Sequence, residues 1–528
     1  HDPSLPWGGI GLTMKTNLLK NSKAIIILSV ITAFLFVAAR GMSGKDVLIT
    51  VLRGFSVGSV TFLVAAGFSL IFGLLDVLNL AQGTLYMIGA YVGWTVYVRP
   101  DTFIDVLTPV LLILAAFSLS SLWGRLAGQI KLAPKARKIV AWLLILAGFV
   151  LLALVLTRYP IASWDLDKYN ESPITYSYMA DQGLRIIPAE AAFQKISPFL
   201  ALAGLLVTSA ISAFGIALLN REDGRSKKIN WRKFLVPAIL LFVGLLAVVF
   251  NAQLTSWLFA MSTNWLFVIA VLMAILSGVG LGALMETTLI RPLYNRPIYQ
   301  LMLTLGLGTI GVQIVQAVWG RPEFVWPKPE FFTGTGGACP ATSLADLFEN
   351  HCSTVLLLGG RVRVYDEIFI PIVGVIVLIL VWILLKRSRI GMIIRAGVQD
   401  RQMVEALGIN VRRVFTLVFA LGVGLAAFGG ALAAPSSGLT PVMGERLLLS
   451  ALIALAIGGL TSFPGAALGS LLVGLIQQFM IKYGQIGIPL PFTDAVFKPS
   501  PPLVPASTVL LMVVVLLILP HGLLGTKE

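Results

Sequence analysis

The sequence predicts an all-α membrane protein, a polytopic transmembrane helical bundle of about 14 helices. The chain has 528 residues, of which 57% are hydrophobic and only 12% charged, whereas soluble domains carry about 25% charged residues. Apolar runs long enough to cross a hydrocarbon core, which takes about 20 helical residues, recur from residue 24 almost to the end. This recurrence excludes a soluble domain with a single anchor.

The apolar runs place the helices along the chain. Their predicted spans are 24–40, 47–75, 78–97, 104–123, 138–157, 196–219, 233–251, 264–286, 298–319, 367–386, 412–434, 446–461, 464–482 and 504–519. The runs near 78–97 and 446–461 are alternatively re-entrant segments. Pairs of glycines four residues apart, which let helix backbones approach closely, occur at Gly54/Gly58, Gly278/Gly282 and Gly465/Gly469.

The N-terminal tail, residues 1–23, differs from the rest of the chain. Its first part, 1–13, is polar and rich in Gly and Pro, which indicates either a vector-derived addition or an upstream extension. The lysines that follow, together with the run at 24–39, resemble a signal peptide, but no small-residue cleavage site follows. We therefore expect this run to be a retained helix.

Charge predicts the topology. The excess of 39 Lys+Arg over 24 Asp+Glu lies in short loops between apolar runs, at 124–138, 221–233, 291–297 and 386–413. If basic loops face the cytoplasm, both termini are cytoplasmic and the long connections 159–195 and 320–366 are outer loops. No basic stretch interleaved with stacking aromatics occurs, so nucleic acid is not expected as a partner.

The second outer loop holds both cysteines of the chain, Cys339 and Cys352. An oxidising compartment allows a disulfide to persist, so we expect these cysteines to be bridged. Two free cysteines are the alternative.

Several kinds of chemistry are missing from the sequence. No Walker A motif occurs, so this chain is not an ATPase. Ion-coupled carriers place ionisable residues within the membrane, and here Asp76 and Glu286 fall near helix ends, leaving Arg53 as the least easily dismissed. No metal-ligand spacing, nucleophile set or carboxylate pair appears. We therefore expect no enzyme activity, metal or bound cofactor.

The stretch 395–415, RAGVQDRQMVEALGINVRRVF, is the most informative segment. Val398, Met403, Val404 and Leu407 offer apolar positions of a short amphipathic helix, and Gly408 provides its stop. Such a helix is suited to docking into a groove on a soluble partner. By periodicity alone, a helix resting on the bilayer surface is an equal or better alternative.

A short helix that ends in Gly before a basic helix start resembles the coupling segment of ABC-importer permeases. The usual Glu-Ala-Ala residues are absent, and Gln402, Met403 and Val404 stand in their place. This form is similar to the branched-chain amino acid permease family, some relatives of which carry urea. Four further matches support that resemblance: GFSLIFGLLDVLNLAQGTLYMIGAYVGW (67–94), RPLYNRP with LTLGLGTIGVQ (291–313), IGGLTSFPGAALGSLLVG (457–474) and LILPHGLLG (517–525).

The resemblance covers roughly 47–103 and 262–528. We accordingly divide the chain into an N-terminal transmembrane part, 24–103, an inserted transmembrane block, 104–261, and a permease core, 262–528. The inserted block contains the outer loop 159–195. The core contains the coupling loop 387–411 and the outer loop 320–366.

The resemblance implies a permease subunit that moves branched-chain amino acids or a related small polar solute inward by alternating access. Its implied partners are two ATPase subunits that bind ATP and Mg, a second permease subunit in a homo- or heterodimer, an external substrate-binding protein and membrane lipid. Its implied location is a bacterial or archaeal plasma membrane. A stand-alone channel or facilitator for a neutral solute such as urea is the alternative, and an ion-coupled carrier is a weaker one.

The resemblance also implies site residues. The segment expected to contact the ATPase comprises Gln402, Met403, Val404, Glu405, Ala406, Leu407 and Gly408. The residues expected along the substrate pathway are Asn79, Gln82, Gly83, Thr461, Ser462, Pro464 and Gly465. Helix caps and tight turns between helices are the alternative reading of this second set.

Overall fold

The computed structural model describes residues 41–130, 132–159, 161, 175, 197–219, 232–294, 296–320, 323–335, 339–399, 401–489 and 496–525. The predicted tail 1–23, the helix at 24–40 and nearly all of the outer loop 159–195 lie outside this part of the chain.

Helices make up almost all of the described structure, which confirms the all-α class. In chain order they are α1 Gly44–Leu75, α2 Gln82–Val98, α3 Pro100–Ser118, α4 Ser120–Gln129, α5 Pro134–Thr157, α6 Pro198–Leu219, α7 Arg232–Val249, α8 Asn251–Ala260, α9 Thr263–Met285, α10 Pro297–Trp319, α11 Leu344–Asn350, α12 Ile370–Arg387, α13 Arg389–Gln399, α14 Arg401–Ala406, α15 Val411–Ser437, α16 Met443–Gly458, α17 Phe463–Ile486 and α18 Leu503–Ile518.

Shorter elements complete the described part. They are two π-helical segments, Glu286–Ile290 and Val364–Phe369, two 3-10 turns, Arg291–Leu293 and Glu330–Phe332, and two hairpins, β1 Thr354–Leu357 with β2 Gly360–Arg363 and β3 Ile488–Pro489 with β4 Val496–Phe497.

Within the described residues, nine helices are long and apolar enough to cross a membrane. A tenth span is possible if the bent pair Phe234–Val249 and Asn251–Ala260, which meet at 77°, is counted as one. The predicted count of about 14 included the run at 24–40, outside the described part, and three helices, α2, α16 and α18, of 17, 16 and 16 residues. These three lie at or just below the lower end of the range of about 17–25 residues that a membrane span takes.

The described residues form two compact units. The first comprises residues up to Tyr91, Val271–Glu323 and Lys328 onward, and the second comprises Val92–Ala270 with Phe324–Pro327. The second unit contains the block 104–261. Inside it, Leu112, Leu152 and Leu205 of α3, α5 and α6 form a buried apolar cluster.

In the first unit, the predicted glycine pairs lie at close helix contacts. On α1, a Cβ at Gly54 would lie 3.0 Å from the Leu475 Cα, and one at Gly58 3.0 Å from the Leu471 Cα of α17. A Cβ at Gly282 of α9 would lie 3.0 Å from the Ala420 Cα of α15. The absence of side chains thus lets these backbones touch, as the spacing predicts.

The connection after Lys328, which the charge pattern predicts to be an outer loop, contains a disulfide and local hydrogen bonds. A disulfide joins Cys339 and Cys352, with 5.5 Å between their Cα atoms. Ser343 caps α11, and hydrogen bonds from the Thr342 and Ser343 hydroxyl groups lower the pKa of Asp346. The loop is therefore a folded cap rather than a bare connection.

Candidate functional site

Helix α14 lies in the predicted coupling loop, 387–411, and ends as the sequence predicts. The Gly408 N–H donates to the Glu405 carbonyl at 3.0 Å, and the Ile409 N–H donates to the Val404 carbonyl at 3.3 Å. Gly408 has φ +81°, a conformation that a residue without Cβ adopts at little cost. Asn410 then caps α15 by accepting from the Arg413 N–H. The segment thus consists of α14, a turn at Gly408 and the capped start of α15, and α13 precedes it.

The two faces of α14 differ. Val404 is 3% exposed and packs with Val411 and Phe415 in a buried apolar cluster. Met403 and Leu407, four residues apart, are 63% and 70% exposed. Glu405, Ala406 and Gly408 are exposed as well, whereas the side chain of Gln402 lies outside the described residues. One face therefore anchors the helix, and the other presents apolar side chains outward.

A buried carboxylate lies beside this anchor. Glu286, at the start of a π-helical segment, is fully buried. Arg291 donates to both of its oxygens, at 3.1 and 2.7 Å, the Tyr294 hydroxyl donates at 2.5 Å, and the Thr416 hydroxyl donates at 2.6 Å. We call these four residues the Glu286 cluster. No local pattern in the sequence pairs Glu286 with Thr416, which lies 130 residues away.

The first predicted pathway group spans the junction of the α1–α2 link with α2, with Asn79 in the link and Gln82 and Gly83 at the start of the helix. Asn79 and Gln82 are fully buried. The Asn79 amide donates to the Gln82 side-chain oxygen at 3.1 Å, and the Gln82 amide donates to the Gly422 carbonyl of α15 at 2.8 Å. Thr304 of α10 accepts from the Leu80 N–H at 3.2 Å. The broken backbone is thus satisfied by protein groups in this conformation, and a role along the pathway stays a prediction.

Gly83 supplies close packing beside these amides. A Cβ at Gly83 would collide with the Gly444 carbonyl oxygen and lie 2.8 Å from the Leu448 Cβ of α16. We expect Gly83→Ala to lower the free energy of unfolding by about 1–3 kcal/mol, because the neighbouring backbone cannot yield cheaply. Thermal unfolding of the purified protein in detergent measures this loss.

The matched control is Gly306→Ala on α10. A Cβ at Gly306 meets nothing within 4 Å, so the higher helix propensity of alanine should leave stability unchanged or raise it by about 0.5–1 kcal/mol. Equal melting temperatures for the two variants would contradict the close α2–α16 contact.

The second predicted pathway group joins α16 to α17. Ser462 caps α17 by accepting from the Gly465 N–H at 3.1 Å. Thr461 and Pro464 are exposed, whereas Gly465 is buried against Gly458. The Leu523 and Leu524 N–H groups donate to the Ile457 and Gly458 carbonyls at 2.8 and 3.0 Å. In the described residues this group forms a helix cap and a close helix contact, and its role along the pathway stays a prediction.

At the other end of α1, Arg53 meets a residue that the sequence analysis did not select. Its Nε donates to the Glu367 carboxylate at 2.6 Å, and Glu367 is 1% exposed whereas Arg53 is 43% exposed. The second Glu367 oxygen accepts from the Arg363 N–H at 2.9 Å. The arginine flagged as an intramembrane charge is thus the counter-ion of a buried carboxylate.

The sequence is similar to known transport proteins. A family model described as "Branched-chain amino acid transport system / permease component" matches residues 50–220 and 238–520. The branched-chain amino acid permease protein LivH of Salmonella typhimurium is 25% identical over 59% of this chain and 87% of its own length. BraD of Pseudomonas aeruginosa, a permease protein for the same substrates, is 35% identical over 23% of this chain and 40% of its own length.

A permease of another substrate class also matches. The fructose import permease protein FruF of Bifidobacterium longum is 30% identical over 21% of this chain and 34% of its own length. No solved structure matches.

Proposed function

Because this chain belongs to the family of branched-chain amino acid transport permeases, we propose that it is the transmembrane subunit of an ABC importer, moving branched-chain amino acids or a related small polar solute inward. Separate ATPase subunits, which bind ATP and Mg, drive alternating access. A second permease subunit and an external binding protein complete the assembly in a bacterial or archaeal inner membrane, with both termini cytoplasmic.

The observation that carries this proposal is the outward face of α14. Val404 fixes the helix to the membrane domain, while Met403 and Leu407 project at i and i+4 spacing. Two apolar side chains at this spacing fit a groove on a soluble protein. A helix ended by Gly408 holds that face in one orientation, as a docking element requires.

Substrate choice is supported by the relatives. LivH and BraD are named for branched-chain amino acids, and FruF for fructose. These substrates are all small polar solutes. Branched-chain amino acids are favoured because the family description itself names them. Competition of leucine, isoleucine, valine and fructose for uptake into proteoliposomes distinguishes these classes.

Docking is tested by placing charge on the outward face. We expect Met403→Asp with Leu407→Asp to weaken ATPase association by at least about 100-fold, since burying each apolar side chain contributes about 1.5–3 kcal/mol and the variant loses two of them. The measurement is the amount of ATPase subunit that co-purifies with the chain, together with ATP-driven uptake by the reconstituted complex.

Leu358→Asp is the control for this pair, because Leu358 is an exposed leucine of the β1–β2 hairpin, far along the chain from α14. It should leave ATPase association unchanged. Full association and uptake in the Met403/Leu407 variant would overturn the assigned docking face. Equilibrative flux through the chain alone, without any ATPase, would instead establish the channel alternative.

A further inference from the structure

We propose that the Glu286 cluster is the positioning element through which movement of α14 reaches the membrane helices. This inference rests on the proposed function, since it assigns a route for the motion that an ATPase would impose on α14. It makes Glu286, Arg291, Tyr294 and Thr416 coupling residues rather than a passive ion pair.

The route begins at the buried face of α14. Val404 packs in one apolar cluster with Phe415, and Tyr294 packs against the same cluster. The Tyr294 and Phe415 rings meet edge to face with centroids 6.0 Å apart. A displacement of Val404 therefore pushes on Tyr294, which donates to the carboxylate, and on Phe415, which directly precedes Thr416.

The cluster then joins two segments that are distant in sequence. Tyr294 and Arg291 follow α9, whereas Thr416 lies in the first turns of α15, and all three donate to the one carboxylate. Arg291 also donates to Thr416 at 2.8 Å, so the polar groups form a closed ring. Charge-assisted bonds in a buried setting are strong and short, which makes the two segments move together.

Beyond the cluster, α9 and α15 stay in backbone contact. A Cβ at Gly278 would lie 2.5 Å from the Ala427 Cβ, and one at Gly282 would lie 3.0 Å from the Ala420 Cα. Packed interiors transmit displacement rather than absorb it. A tilt of α15 in turn moves the Gly422 carbonyl, which accepts from Gln82 at the break between α1 and α2.

The backbone conformation at Glu286 also favours a functional role for the Glu286 cluster. Glu286 is the first residue of a π-helical segment. Such segments are rare in proteins, and those that occur are often found at functional sites. A buried ion pair alone is weak evidence for stability. The combination of a π-helix, a fully buried carboxylate and direct contact with the coupling loop is what carries the inference.

The test separates coupling from folding. Thr416→Val removes one donor and one acceptor of the ring, whereas Thr416→Ser keeps both. We measure, in the complete complex with the ATPase subunits that purify with it, the melting temperature, the ATPase rate and the substrate molecules taken up per ATP hydrolysed. The control is Thr287→Val, because the exposed Thr287 hydroxyl donates, among the described residues, to the Ala283 and Leu284 carbonyls of its own helix.

The expected result is a fall of at least fivefold in uptake per ATP for Thr416→Val, with ATPase association retained. Thr416→Ser and Thr287→Val should keep the wild-type ratio. A second variant, Glu286→Leu with Arg291→Met, removes the charges while filling the space, and should uncouple more completely.

Opposite outcomes are informative. Unchanged uptake per ATP in both cluster variants overturns this inference while leaving the proposed function standing. A parallel loss of ATPase rate, uptake and melting temperature, with the ratio preserved, also overturns it in favour of a purely structural pair. Absence of ATP-driven uptake in the wild-type complex would be a failure of the proposed function itself.

Discussion

Replacing Arg53 with methionine should lower the free energy of unfolding by about 3 kcal/mol, because it leaves the Glu367 carboxylate buried without its counter-ion. Glu367 is 1% exposed, and of its bonds to described residues it would keep the one from the Arg363 N–H, at 2.9 Å. We place the value at the low end of the usual range because Arg53 itself is partly exposed. Thermal or denaturant unfolding of the purified protein measures it.

The double variant Arg53→Met with Glu367→Leu is the control for this loss. It removes both charges and fills their space, and apolar replacement of a buried pair is often neutral or stabilising. Most of the stability should therefore return. A double variant as unstable as the single one would show that Arg53 acts through something other than Glu367.

Local patterns in the sequence were sufficient to predict where most of the helices lie. Apolar runs and glycine spacing predicted the ends of α1, α9, α15 and α17 within a few residues. This is because the length of a span and the small residues of a close contact depend on residues that are near one another in the sequence. The run at 78–97 begins only at Gln82 in the structure, since the Asn79 amide bonds to the backbone and holds the link non-helical. Polar side-chain bonds of this kind do not show in hydropathy.

Long-range pairing could not be predicted. Glu367 lies 314 residues from Arg53, and Glu286 lies 130 residues from Thr416. Each residue by itself looks like a charge or hydroxyl near a helix end, and only the fold supplies the partner. The segment 395–415 was the opposite case, because its apolar positions and Gly408 lie close together in the sequence. The sequence nevertheless did not predict that Val404 is buried whereas Met403 is exposed, because this depends on the packing of Val404 against Phe415.

Gly408→Pro should abolish ATP-driven uptake while leaving the membrane helices folded. Proline fixes φ near −65°, whereas Gly408 has φ +81°, and it removes the N–H that donates to the Glu405 carbonyl. A mismatch of about 3 kcal/mol would lower the population of the docking conformation about a hundredfold. Uptake into proteoliposomes and ATPase co-purification measure the effect.

The matched variant is Gly408→Asn, since asparagine tolerates the left-handed conformation and a Cβ at this position meets nothing within 4 Å. It should keep most of the uptake, which separates backbone geometry from the mere loss of glycine. Glu405→Arg reverses a charge on the exposed side of α14 without touching the turn, and should weaken association through the partner's surface. Normal uptake in both Gly408→Pro and Glu405→Arg would refute the coupling role of this loop, because neither its shape nor its charge would then matter to the ATPase.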